Sequence, residues 1–349
     1  MAGALTIAAL SVSLSRASAS PSTVYYLALG DSVPVWDGAN SYPYQIDSHY
    51  SSSTPGLQVV DLAVSGKTTT TMLDDGQMAQ AVSFLEQHPG ATVLVTIDIG
   101  GNDLLPCVQA DSSVDVSCVE QTDTNVIAPN LQTILTKLRQ AAGPTVPIYG
   151  MNYYDPFLGD WLAGGTEQAA TVTGVSEIAA IDSFFKGVYA QFSNPIADVE
   201  SAFDTTDLTD MVSSTWGEIP LAVDKACTLL DISCQSGQTE GFGDDPNNAG
   251  AAVIAQAFEQ VIGSAITPVT PTTTSTSTSV PAPTTTVAAV RTPTPTTSAI
   301  PSAKSGSLAL TGAGSGLAEL LLAGVALSAG AVVILLACEL RRRVHRDTG

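Results

Sequence analysis

The chain has 349 residues, with 33 acidic against 12 basic side chains and a net charge of −21. Residues 20–266 hold 30 of those acidic groups and only 5 of the basic ones. A surface this negative repels nucleic acid and anionic lipid, so binding to such polyanions is excluded.

Composition divides the chain into four parts. Residues 1–19 are small and apolar and end in Ala17-Ser18-Ala19, which predicts a secretory signal, although no basic residue precedes the apolar core. Residues 20–266 are long enough for one globular domain with a real core. Residues 267–306 are Thr, Ser and Pro, a linker composition. Residues 317–338 form an apolar run that, at ~1.5 Å per residue, extends ~33 Å and spans a bilayer. The cluster Arg341-Arg342-Arg343-Val344-His345-Arg346 then predicts a cytoplasmic tail.

The domain reads as strands alternating with helices. Tyr25-Tyr26-Leu27-Ala28-Leu29 is a buried strand that ends in Gly30-Asp31-Ser32. Asp31 and Ser32 are helix-start residues, which would put the Ser32 N–H near the positive end of a helix. A short helix over Tyr42 to Tyr50 follows. A second strand, Leu57 to Val64, ends at Ser65-Gly66. The spacing of Met78, Ala81, Val82 and Leu85 predicts a helix from Gln77 to Gln87, stopped by His88-Pro89-Gly90. The third strand, Ala91 to Ile99, ends in Gly100-Gly101-Asn102-Asp103. A helix from about Val126 to Ala142 precedes a fourth strand, Val146 to Met151. Tyr153-Tyr154-Asp155-Pro156-Phe157 follows that strand and either lines a pocket or packs a loop. A long helix from about Glu167 to Phe192, a short strand Ile196 to Val199, an irregular acidic segment to Gly243 and a last helix to about Ile262 complete the domain. This alternation predicts a three-layer α/β/α sandwich around a five-stranded parallel sheet.

There are five cysteines. Cys107 and Cys118 flank one loop and Cys227 and Cys234 another, so two local disulfides are the natural pairing in a secreted chain. Cys338 falls in the apolar run. No metal-ligand spacing is convincing, and no cofactor is expected.

In a parallel sheet, the strand ends carrying Ser32, Gly66 and Asn102 share one edge. A hydroxyl, an unshielded backbone N–H and a side-chain amide there make a nucleophile with a three-donor oxyanion hole. A lone GDS is more often a helix cap, but three such features in this order are specific. These blocks, Gly30-Asp31-Ser32, Gly66 and Gly100-Gly101-Asn102-Asp103, resemble those of the SGNH or GDSL hydrolases, with most likeness to secreted actinobacterial members. The resemblance covers residues 24–262. It implies that Ser32 is the nucleophile and that Ser32, Gly66 and Asn102 form the oxyanion hole.

The family's last block, D-x-x-H-P, is altered. In Phe242-Gly243-Asp244-Asp245-Pro246, Asp245 stands in the histidine position and Phe242 in the aspartate position. The resemblance thus leaves the family's general base absent. His345 lies beyond the apolar run. His49 and His88 precede strands, and the nine residues after His88–Gly90 put it ~30 Å from Asn102 at ~3.3 Å per residue. Asp245, with Asp244 beside it, is the remaining candidate base, and an ordinary aspartate is a weak one. Asp245 serves equally well as part of a loop capping the last helix.

Leu308-Ala309-Leu310-Thr311-Gly312, followed by an apolar span and a basic tail, resembles a sortase sorting signal of the L-A-x-T-G kind. The resemblance implies cleavage between Thr311 and Gly312 and attachment to peptidoglycan; a permanent single-span membrane anchor is the alternative. The linker would then cross the cell wall, reaching ~120 Å at ~3.1 Å per residue. The expected protein is extracellular and wall-anchored. It either hydrolyses lipid or glycan esters through an acyl-serine intermediate, weakly, or keeps the cleft as a glycan- or lipid-binding pseudoenzyme.

Overall fold

A computed structural model describes residues 22–109, 113–231, 233–235, 238–240 and 245–266. The signal segment 1–19, Phe242, Gly243, Asp244, the linker 267–306, Thr311, Gly312 and the apolar run 317–338 lie outside the described residues.

The elements in chain order are β1 (Val24–Gly30), α1 (Tyr42–Tyr50), β2 (Leu57–Asp61), α2 (Thr69–Asp74), α3 (Gln77–Gln87), β3 (Thr92–Asp98), α4 (Gly101–Leu104), α5 (Val116–Thr122) and α6 (Ala128–Ala142). They continue with β4 (Ile148–Met151), α7 (Gly165–Gln191), β5 (Ile196–Ala197), α8 (Val199–Ala202), β6 (Met211–Ser214), β7 (Gly217–Pro220), α9 (Leu221–Leu229), β8 (Ser233–Gln235), β9 (Gln238–Glu240) and α10 (Asn248–Ile262). The first five strands form one parallel sheet in the order β2-β1-β3-β4-β5. All five strand ends therefore share one edge, as the sequence predicts.

The alternation of side chains along β1 divides the core. Tyr26 and Ala28 pack on one face with Tyr42, Ile46 and Tyr50 of α1 and Ile254 and Phe258 of α10. Leu27 and Leu29 pack on the other with Met78 and Leu85 of α3, Leu131 and Leu135 of α6 and Phe185 of α7. The result is the three-layer sandwich. Helix α1 and helix α10 run side by side in the same direction. The Gln45 amide meets Asn248 at their starts, and the Tyr50 hydroxyl donates to the Gly263 carbonyl at their ends.

Three expectations are corrected. No helix starts at Ser32: residues 31–37 form turns, and α1 begins ten residues later, with Ser41 in its N-cap position. The left-handed backbone of Asp37, at φ 61°, ends the single turn that follows Ser32. The helix expected from Val126 starts at Val116, because Asp115 caps it through the Cys118 N–H. It joins α6 through a π-turn at Asp123–Ile127, where Pro129 lacks an N–H to donate. The segment expected to be irregular holds an antiparallel hairpin, β6 with β7, followed by α9. Its two-residue turn places Gly217 at φ 103°, which only glycine adopts readily.

Candidate active site

Ser32 lies two residues past β1 at the shared sheet edge. It is 9% exposed. Its carbonyl accepts from the N–H groups of Val35 and Trp36, which closes a single turn over the serine. Its hydroxyl makes no hydrogen bond to another described residue. Nor does its backbone N–H.

Gly30 sets the sharp exit from β1. Its φ is 151°, and a Cβ there would fall 2.1 Å from Asp98 Oδ1. The Gly30 carbonyl accepts from Gln77 Nε2 at 2.8 Å and from the Val64 N–H at 3.1 Å. The second bond carries the β2 exit alongside the serine turn. Gly66 then sits in an exposed turn at φ 76°, with no described acceptor for its N–H.

Asn102 belongs to α4, which starts directly after β3. Its Nδ2 donates to the Lys67 carbonyl at 3.0 Å, joining the Gly66 turn to the Asn102 turn. A second tie lies beside it. The Asp103 carboxylate accepts from the Thr69 N–H at 2.7 Å and the Thr69 hydroxyl at 2.8 Å. Burial raises the Asp103 carboxyl above its ordinary range, and these two bonds oppose the rise. Ser32, Gly66 and Asn102 thus stand on three consecutive strand exits that hydrogen bonds hold in register.

Buried acidic groups lie beneath this edge. Burial first, then the carboxylate of Asp31, pushes the Asp98 carboxyl well above its ordinary range. It accepts from the Tyr42 hydroxyl at 3.1 Å. Burial pushes the Asp61 carboxyl up to about 6.

Ser32 and Asn102 open onto a pocket of about 950 Å³, mouth included. Its walls are almost wholly apolar. Leu104, Leu105, Val108, Val114 and Val119 come from the Asn102 turn and the disulfide loop. Tyr153, Tyr154, Pro156 and Phe157 come from the β4 exit, so the aromatic run takes the pocket-lining alternative. A stripe of α7 closes the far side. The sequence does not single out α7 or the disulfide loop for this role. The helix is apolar on several faces, so its periodicity marks no pocket side. The polar lining includes Asp31 and Asp155. Burial pushes Asp155 up to about 6.

Both expected disulfides are present, Cys107–Cys118 and Cys227–Cys234. The first closes the loop whose Val108 and Val114 pair across a short bridge on the pocket wall.

Asp245 is buried but is not among the residues that line this pocket. It precedes α10, whose first turn lies at the same sheet edge as Ser32. The Asp245 carbonyl accepts from the Asp231 N–H, and the Asn247 N–H donates to the Leu229 carbonyl. This fastens the segment to the end of α9. The cap of α10 is Asn247, whose side chain accepts from the N–H groups of Ala249 and Gly250. Capping therefore does not account for the burial of Asp245. The two described histidines stand elsewhere. His49 pairs with Glu259 at 3.3 Å, and His88 packs edge-on against Tyr25 at the start of β1. Among the described residues, no cluster of His, Cys, Asp and Glu could hold a metal, and no helix is long and apolar enough to cross a membrane.

The model of the GDSL-like Lipase/Acylhydrolase family matches residues 28–214, more than half of the chain. The chain belongs to this family. The match includes Ser32, Gly66 and Asn102 and ends before Asp245. Among solved structures, this GDSL chain is similar to phospholipase A1 from Streptomyces albidoflavus, at 18% identity and a TM-score of 0.48, over 68% of this chain and 99% of that one. It is also similar to the extracellular lipase from Streptomyces rimosus, at 16% identity and a TM-score of 0.44, over 67% of this chain and all of that one. No curated protein matches the chain.

Proposed function

We propose that this GDSL family member is an extracellular serine ester hydrolase that works through an acyl-Ser32 intermediate. The observation that carries the reading is the Ser32 turn. A hydroxyl and an N–H without partners among the described residues stand beside Asn102, at the mouth of an apolar pocket. The Ser32 oxygen attacks the ester carbonyl carbon, and its proton passes to Asp245. The oxyanion is held by the N–H groups of Ser32 and Gly66 and the second Nδ2 hydrogen of Asn102. The alcohol leaves with the proton, and water then releases the acid and frees Ser32.

The weak point is the base. A carboxylate is a poor acceptor for a serine proton at pH 7, so turnover is slow. The placement of His49 against Glu259 and of His88 against Tyr25 favours a second reading, a pseudoenzyme whose cleft binds a wall glycan or lipid. In both readings the signal segment, the linker and the sorting signal of residues 307–349, cut between Thr311 and Gly312, deliver the domain to the cell wall through a sortase.

Hydrolysis of a short-chain aryl ester by the wild type, Ser32→Ala and Asp245→His separates the two. Turnover that Ser32→Ala abolishes supports the enzyme, and a further gain in Asp245→His identifies that position as the base. Background rates in wild type and Ser32→Ala, with activity appearing only in Asp245→His, support the binding module.

A further inference from the structure

Six residues of α7 line the pocket, Thr171 and a stripe of Ala170, Gly174, Ile178, Ile181 and Phe185. The spacing of three or four along the stripe places it on one helical face. Ala170 and Gly174 form the small end of that stripe and Ile178, Ile181 and Phe185 the bulky end. At its bulky end, Phe185 packs beneath Gly100, where an added Cβ would lie 2.6 Å from the phenyl ring. This end stands beside the Asn102 turn. Gly174 lies eleven residues earlier, ~16 Å along the axis at ~1.5 Å per residue.

Glycine inside a helix is destabilising relative to alanine, so its presence needs a reason. Outside helices, Gly100 has two reasons to be glycine, a φ of 124° and the contact with Phe185. Gly150 has one, the Tyr189 ring 2.4 Å from where a Cβ would sit. Gly174 has neither. Its φ is not positive, and an added Cβ would meet no atom within 4 Å. Gly187 on the same helix is equally open, but it is exposed and faces solvent. Gly174 is half-buried, and the space before it belongs to the pocket.

We infer that Gly174, with Ala170 one turn earlier, keeps the far end of the pocket open for the tail of a long, unbranched aliphatic acyl chain. The inference rests on the ester-hydrolase reading of Ser32 and narrows its substrate to fatty acyl esters. The carbonyl carbon stands at Ser32 and the chain runs along α7 past Ile181 and Ile178. Leu105, Val108 and Val114 on the pocket wall are aliphatic and offer no side-chain partner to a polar acyl group. Each methylene buried against such walls tightens binding roughly fourfold.

The test uses full-length Ser32→Ala protein, which cannot turn its ligand over. Saturated methyl esters, from methyl butanoate to methyl decanoate, displace a fluorescent alkyl ester. Affinity is expected to rise with chain length. Adding Gly174→Leu should lower methyl decanoate affinity at least tenfold and leave methyl butanoate within twofold. Gly187→Leu, the same change on the solvent face, should leave the profile unchanged. Ala170→Leu should repeat the Gly174→Leu shift, and it stands in if Gly174→Leu does not fold. A flat chain-length profile, no binding, or a loss equal at every length overturns the inference. Binding does not need the chemistry of Ser32. An intact profile in a wild type without turnover would thus sink the hydrolase reading alone.

Discussion

The two sides of the candidate site are built on different physics. The Ser32 side is a set of strand exits tied by directional bonds: Gln77 to Gly30, Asn102 to Lys67 and Thr69 to Asp103. The opposite side, from the disulfide loop and α7, is a wall of aliphatic and aromatic contacts. Hydrogen bonds fix atoms to a few tenths of an ångström, as oxyanion chemistry requires. Apolar contacts are non-directional and tolerate changes of size. The contrast teaches that reaction type and substrate choice can vary separately in this fold.

The largest expected effect breaks the bonded side. Gly30→Ala puts a methyl against the Asp98 carboxyl in a backbone conformation that alanine avoids. We expect a loss of about 3 kcal/mol or more in urea unfolding, because backbone on both sides fixes the clash. A native midpoint would show the exit to be more yielding than described.

The next effect tests the apolar side. Replacing Cys107 and Cys118 together with serine opens a loop of sequence separation 11. The expected cost is about 2–3 kcal/mol, with weakened ester binding and no change in the bonds around Ser32. Thermal unfolding paired with the displacement assay checks both halves.

A third prediction concerns pH and the joint between the sides. Asp182 of α7 accepts from the Tyr153 N–H at 2.9 Å, and its Oδ2 has no hydrogen-bond partner among the described residues. Burial pushes its carboxyl up to about 8. The raised folded value means that the neutral acid is the stable buried form. Its contribution is fully present below the unfolded value of about 4 and is lost as pH rises to about 8, at up to about 1.4 kcal/mol per unit. The melting temperature should therefore fall between pH 5 and pH 8. Asp182→Asn should flatten that fall and raise stability at pH 8 by about 2 kcal/mol. An unchanged slope would count against the assignment.

Smaller effects grade the ties around Gly66. Thr68 caps α2 and shares a capping box with Thr71, so Thr68→Ala should cost about 1 kcal/mol by denaturant unfolding. Lys67 pairs with Asp75 at 2.9 Å, but Asp75 is exposed, so Lys67→Ala should change stability by less than about 0.5 kcal/mol. The Lys67 carbonyl that holds Asn102 survives that substitution.

The sequence legibility of the two sides differs for the same physical reason. Ser32, Gly66 and Asn102 are readable because strand exits demand particular residue types, glycine for backbone geometry and serine or asparagine for the chemistry. The sheet is readable because its inner strands β1, β3 and β4 are largely buried and run as near-continuous apolar stretches. The pocket wall is not. Val108, Val114 and Ile178 look like any aliphatic residue, and only the tertiary arrangement assigns them to a cavity. The β6–β7 hairpin is missed because Ser214-Thr215-Trp216-Gly217 lacks the Asn-Gly signal of a tight turn. Gly174 is visible in the sequence only as an unexplained weakness in a helix.

The closure of the domain has a mechanical consequence. Its last described residue, Ile266, lies where the strands begin, with its carbonyl accepting from Thr54 and its side chain beside Val93 and Leu94. The Tyr50 hydroxyl grips Gly263 just before it. A pull applied at Ile266 would load this clasp and α10 first, in shear against α1. The strand exits around Ser32, at the opposite end of the sheet, would feel it last. The fold thus separates the point where force enters from the point where a ligand is held.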